Sequence, residues 1–170
     1  MGFDFNFRQI DSTQDITTLI NFMASYPLSY PNYDAWIQRS EPELHMAYKQ
    51  AILAFSNKTL VGDVVYQRHK QFPGTLEIKN FRVDERIRRR DFGHFILKQV
   101  EAEAVKEGYD MILCDTRSSQ TDVLSLMKFS GFREIARAPL YDSNEEDVIM
   151  GKQIKKDGKN GLIRAGSWFS

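Results

Sequence analysis

Hydrophobic and polar residues alternate at the start of the chain, where single polar residues separate Phe3, Phe5 and Phe7. That period of two predicts a half-buried strand. The period then changes. Ser12 stands three residues before Asp15, the spacing of a capping box, and Ile16, Leu19, Ile20 and Met23 follow at i, i+3, i+4 and i+7. Together they predict a helix with one apolar face. Pro27 and Pro31 interrupt the pattern in a tyrosine-rich loop, and a short second helix is expected around Tyr33 to Gln38 with Asn32 as its cap.

Lys49 to Phe55 and Leu60 to Arg68 read as two strands joined by the turn residues Ser56-Asn57-Lys58, hence a hairpin. Pro73-Gly74 predicts another turn before a strand from Leu76 to Val83. A long helix is expected from about Asp91 to Glu107, with Phe92, Ile96, Val100 and Ala104 as its stripe and Gly108 at its end. A short strand at Met111 to Cys114, a helix at Thr121 to Phe129 stopped by Gly131, and strands at about Arg133 to Ala138 and Asp147 to Ile154 complete the pattern. The order βααββ, then βαβαββ, is mixed α/β without an internal repeat. One domain is expected over residues 1–154, and the tail 155–170 is expected to be poorly ordered or to pack on the domain or a partner.

Composition narrows the function classes. Hydrophobic residues make up 42% and charged residues 27%, as in a soluble globular protein. Lys plus Arg and Asp plus Glu both total 23, so no global field directs the protein to nucleic acid or an anionic membrane. The single cysteine, Cys114, excludes a disulfide framework and any paired-cysteine metal or redox site. His45, His69 and His94 fall at no metal-ligand spacing, so no metal is expected. No apolar run approaches the roughly 20 residues that span a bilayer, and the first residues lack the features of a signal peptide. A cytoplasmic location without a membrane partner is the expectation.

Candidate chemistry lies between Leu76 and Gly93: a strand, a turn bearing Arg86, Arg88, Arg89 and Arg90, and the start of the long helix. First-turn backbone N–H groups have no partner inside a helix, and the macrodipole makes that end partly positive. With the arginines, this is a place for a phosphorylated ligand, although a solvated basic turn has the same composition.

These residues resemble the acetyl-CoA loop of the GCN5-related N-acetyltransferase (GNAT) superfamily, V-x-x-x-x-[QR]-x-x-G-x-[GA]. Val83, Arg88 and Gly93 take the valine, Gln/Arg and last positions, and Asp91 stands where the first glycine is expected. Downstream, Leu126-Met127-Lys128-Phe129-Ser130-Gly131-Phe132 is similar to the family's L-Y-x-K-x-G-F segment. The order of elements agrees over about residues 3 to 154. The resemblance implies a central, mostly antiparallel twisted sheet of about seven strands with about four helices on its faces. It also implies acetyl-CoA as co-substrate, direct transfer of its acetyl group to a primary amine, and a small molecule or a peptide as the acceptor. A homodimer is compatible with it.

The same resemblance assigns residue roles. Backbone of Phe81 and Val83 would pair with the pantetheine, a Phe81 or Arg82 N–H would polarise the thioester oxygen, and Arg88, Arg89, Arg90, Asp91, Phe92 and Gly93 would cradle the phosphates. Gln120 stands where the family usually has Asn. Glu77, six residues before Val83, matches the strand glutamate that some members use as base, although Lys79, two residues on, could equally pair with it. The loop between the first two helices carries Tyr30 and Tyr33, and the loop before the last strand carries Tyr141, Asp142, Glu145, Glu146 and Asp147. These would form aromatic walls and an acidic rim for a cationic amine, or else core aromatics and a solvated loop. Two departures support an alternative, a catalytically silent acyl-CoA-binding or regulatory module. Asp91 could cap the helix in competition with phosphates, and Met127 replaces the tyrosine credited with protonating the leaving thiolate.

Overall fold

A computed structural model describes residues 4–87, 91–141 and 144–154. Its strands are β1 (Phe5–Gln9), β2 (Gln50–Ser56), β3 (Thr59–Arg68), β4 (Thr75–Val83), β5 (Met111–Arg117), β6 (Arg133–Ala138) and β7 (Asp147–Gln153). Its helices are α1 (Thr13–Ser25), α2 (Tyr33–His45), α3 (Phe92–Lys106) and α4 (Thr121–Phe129). All seven strands join one sheet in the order β1-β2-β3-β4-β5-β7-β6. Every neighbouring pair is antiparallel except β4 and β5. This is the mixed α/β sheet with four helices that the sequence predicts.

The helices divide between two apolar layers. Phe92, Ile96, Leu97 and Val100 of α3 pack with Leu76 and Ile78 of β4 and Ile112 of β5. Leu19 and Met23 of α1, with Ile37 and Leu44 of α2, pack with Leu53 and Val65. At the start of α1 the Ser12 hydroxyl accepts the Asp15 N–H at 3.1 Å, as the capping spacing predicts. The Asp15 carboxylate turns back to accept from Asp11 N–H at 3.1 Å and from both Arg8 terminal nitrogens at 2.6 and 2.7 Å.

Two elements outrun their sequence-based bounds. Helix α2 continues to His45 with Pro42 inside it, beyond the expected end at Gln38. Proline removes one helical hydrogen bond, but Ile37, Ser40 and Leu44 are buried along this helix and hold it against the sheet. Asn32 occupies the N-cap position in a left-handed conformation and its side chain caps nothing. Strand β5 continues past Cys114 to Arg117.

Strand β4 contains the irregularity on which the site depends. Val65 pairs with Asn80 and the next residue, Tyr66, with Ile78, so Lys79 is an extra residue without a partner across the ladder. Such a bulge reverses the sidedness of everything after it. Leu76, Ile78, Phe81 and Val83 accordingly face the α3 layer, with a step of three between Ile78 and Phe81. Asn80 and Arg82 face α1 and α2.

Candidate active site

The parallel pairing of β4 with β5 covers only Thr75–Ile78 against Met111–Cys114. Both strands continue, but apart. Into the gap opens a cleft of about 270 Å³, bounded by residues 78–81 of β4, 114–117 of β5, loop residues 27–30, and Gln120, Val123 and Met127 at α4. Among the described residues no strand closes the β5-facing edge of β4 over this stretch, so a ligand can complete the ladder with its own amides.

The α3 end of the cleft differs in one respect from the sequence expectation. Asp91 sits at the N-cap with φ of 57°, the left-handed region that favours glycine, and its side chain makes no cap hydrogen bond. The Asp91 carboxylate therefore occupies none of the first-turn N–H groups. Packing favours glycine at position 93, since a Cβ there would lie 2.6 Å from Leu126 Cδ2 and 3.3 Å from Phe81 Cζ, and both side chains would have to shift. The Phe92 side chain is fully buried against Phe5 and Phe7, at ring distances of 4.7 and 5.4 Å, and presents only backbone to a ligand. Arg88, Arg89 and Arg90 lie outside the described residues, as do Asp142 and the tail.

Of the strand residues, Phe81 lines the cleft. Val83 directs its side chain into the core. The Arg82 side chain points away, donating to the Tyr33 hydroxyl at 2.5 Å and stacking over the Phe22 ring at 5.6 Å. Tyr33 is therefore an interior residue: its hydroxyl also donates to Asn80 Oδ1 at 2.6 Å, while Asn80 donates to the fully buried Asp63. Burial pushes the Asp63 carboxyl up to about 6, against the opposing pull of Arg82 3.8 Å away.

The other expected acceptor residues do meet. Tyr30 and Tyr141 stand edge to face at 5.0 Å, one from the α1–α2 loop and one from the β6–β7 loop. Arg117 occupies their faces, with its guanidinium carbon 5.1 Å from the Tyr30 ring and 5.9 Å from the Tyr141 ring. Part of the acidic rim turns inward: Asp147 and Glu145 lie 3.8 and 3.7 Å from Arg117, and Glu145 also accepts from the Ser119 N–H and hydroxyl, while Glu146 stays exposed. The aromatic walls hold the protein's own cation.

Glu77 is half-buried and ion-paired with Lys79 at 3.0 Å, which is the pairing their spacing allows. It stands beside the cleft, on a second pocket that Lys79 also lines. The carboxylate within the cleft is one that the sequence reading missed, Asp115. It accepts a hydrogen bond from the Tyr141 hydroxyl at 2.8 Å. Burial raises its pKa, while the Tyr141 bond and Lys79 oppose the rise. Burial and the Asp115 charge push the Tyr30 hydroxyl and the Cys114 thiol upward, so both stay protonated near neutrality. Met127 lines the cleft with a thioether that has no proton to give. Gln120 reaches the cleft from the N-cap position of α4 without capping it. Among the described residues, no group of three or more His, Cys, Asp or Glu could hold a metal ion, and no helix is long and apolar enough to cross a membrane.

Comparison with known proteins agrees with this architecture. No curated protein matches the sequence. A candidate GNAT-family acetyltransferase from Desulfovibrio desulfuricans superposes with a TM-score of 0.76 at 16% identity, covering 88% of this chain and 99% of that one. The ribosomal-protein-S18-alanine N-acetyltransferase of Escherichia coli gives 0.70 at 17% identity, covering 92% and 98%. A candidate acetyltransferase from Salmonella typhimurium, solved with its cofactor acetyl-CoA, gives 0.71 at 15% identity, covering 91% and 96%. At these identities the likeness establishes the fold. The sequence model of the acetyltransferase (GNAT) family matches residues 13–132, and with most of its length inside that match the chain belongs to the GNAT family.

Proposed function

We propose that the protein transfers an acetyl group from acetyl-CoA to a primary amine by direct attack. The observation that carries this reading is the parting of β4 and β5 beyond Ile78 and Cys114, where Phe81 lines the gap and lies against Gly93 at the start of α3. The open β4 edge would hold the pantetheine amides, and a β4 N–H at Phe81 or Arg82 would polarise the thioester oxygen. The first turn of α3, with Arg88, Arg89, Arg90 and Gly93, would hold the phosphates. A bound relative from Salmonella typhimurium supports the choice of cofactor. Acetyl-CoA, when bound, supplies an activated acyl group and a thiolate leaving group.

On this reading the protein's own part is to orient the amine and take its proton. Asp115 is the residue best placed to do so, because it lies in the cleft with a carboxyl whose affinity for protons is raised. Glu77, tied to Lys79, would serve as a second acceptor and hand protons outward. The proton leaves with solvent, and the new N–C bond replaces the C–S bond.

Calorimetric titration with acetyl-CoA, followed by thiol-release assays with a panel of amines, tests this. Micromolar binding and turnover that Asp115→Asn suppresses by about 10²-fold are expected. Absence of binding in both the native protein and Asp91→Gly would overturn the reading. Met127 favours a second reading, an acyl-CoA-binding module without turnover. Binding with no thiol release from any amine would establish that one instead.

A further inference from the structure

Glu145 and Asp147, two of the residues expected to attract a cationic acceptor, are taken up by Arg117 and Ser119, which turns attention to a second determinant of acceptor choice. Glu77 and Lys79 border a pocket of about 350 Å³ between α2, the end of β3 and the β3–β4 turn, and Lys79 connects it with the main cleft. Four cationic side chains, Arg39, Lys49, Lys70 and Lys79, line it against two carboxylates, Glu43 and Glu77. Lys49 is paired with Glu43 and Lys79 with Glu77. Arg39 and Lys70 are left with no ion pair to another described residue, so the pocket carries a surplus of positive charge. His69 adds a directed donor. Its Nδ1 accepts the backbone N–H groups of Gln71 and Phe72, both at 3.1 Å. The ring proton of the neutral imidazole is therefore on Nε2, the nitrogen left to donate to a ligand.

We infer that this pocket seats an anionic group, a carboxylate or a phosphate, carried by the same small acceptor whose amine reacts beside Glu77 and Asp115. The inference rests on the transferase reading above for the amine, and on Arg39, Lys70 and His69 for the anion. Two opposite demands are then met by two walls: carboxylates receive the ammonium proton, and the α2 side holds the acceptor's negative end. Arg39 supplies paired donors that suit a planar carboxylate or a phosphate, and Lys70 a mobile charge on the facing turn.

Initial rates with 4-aminobutyrate, O-phosphoethanolamine and ethanolamine test the idea in the native protein, Arg39→Gln, Lys70→Gln and the double variant. The anionic amines should show kcat/KM at least about tenfold above ethanolamine, and each single substitution should raise their KM about fivefold, within the range of exposed charge pairs. Ethanolamine kinetics should not move. Preference for ethanolamine, or equal losses with all three amines, would overturn the inference while leaving the transferase intact. Inorganic phosphate titration followed through the His69 ring resonances, assigned with His69→Gln, reads the subsite without turnover. A saturable shift that disappears in the double variant upholds the subsite even if no amine reacts, in which case the transferase reading alone fails. No shift, together with no preference between amines, ends the proposal.

Discussion

The Tyr141 hydroxyl donates to the Asp115 carboxylate at 2.8 Å, joining the β6–β7 loop to the open end of β5. This bond stabilises the charged carboxylate, whereas burial favours the protonated one. A base works only when deprotonated, so activity should rise with pH through a limb lying above the ordinary carboxylate range of about 4. Tyr141→Phe removes the stabilising donor and should move that limb to still higher pH, with kcat recovered on the alkaline side. Asp115→Asn should abolish the limb. Profiles of kcat/KM against pH decide it, and an unmoved limb in Tyr141→Phe would exclude Asp115 as the base.

The buried Asp63 gives stability a different pH dependence. Its carboxyl titrates at about 6 in the fold, above the ordinary value of 3.8. The stability it contributes is fully present below the unfolded value and is lost as pH rises through 6. The difference has an upper bound of about 3 kcal/mol. Native protein should thus lose stability relative to Asp63→Asn between pH 4 and pH 7, measured by urea unfolding at each pH. Parallel curves for the two proteins would show that Asp63 does not titrate in this window.

Asp91 holds φ at 57° without a compensating cap bond. Asp91→Gly should stabilise the protein by about 0.5–1 kcal/mol and tighten acetyl-CoA binding, since both strain and a negative charge leave the phosphate end. Thermal melting and calorimetry check the two effects separately. Loss of stability would mean that the carboxylate has a role in the fold.

Met127 places no proton donor at the cleft. Met127→Tyr should increase kcat by about tenfold or more below pH 8, with the gain disappearing above a thiol pKa of about 8.5, where the thiolate leaves unaided. Rapid-quench measurement of thiol release tests it, with a melting curve to verify that the larger ring is accommodated.

Most of the fold could be read from periodicity because most elements carry one apolar face. Helix α4 begins and ends where its pattern says, at Thr121 and Phe129. Misreadings came where tertiary context overrode local signal. Pro42 looks like a stop, yet Leu44 beyond it is buried and the helix continues. Asp115, Thr116 and Arg117 lie beyond the apolar run that marked the strand, but they extend it because they pair with Ile149, Val148 and Asp147 of β7. That is why the cleft carboxylate was missed. The bulge did leave a trace, the step from Ile78 to Phe81 in an otherwise alternating strand. Tyr33 could not be sorted from Tyr30 by sequence, since both occur near one helix start and only packing sends one hydroxyl inward to Asn80.

The unpaired Lys79 also separates two histories on one strand. Odd-numbered residues before it and after it take opposite sides, so Phe81 lines the main cleft, Glu77 borders the pocket beside α2, and Lys79 touches both. Arg39, His69 and Lys70 border only the pocket beside α2, so substitutions there should leave the lining of the main cleft as it is. Deleting Lys79 would join Ile78 to Asn80 in unbroken alternation, leaving Asn80 and Arg82 on the α1–α2 side and Phe81 on the α3 side. The sheet could therefore lose this residue without turning over, and what would go with it is the one side chain among the described residues that touches both cavities.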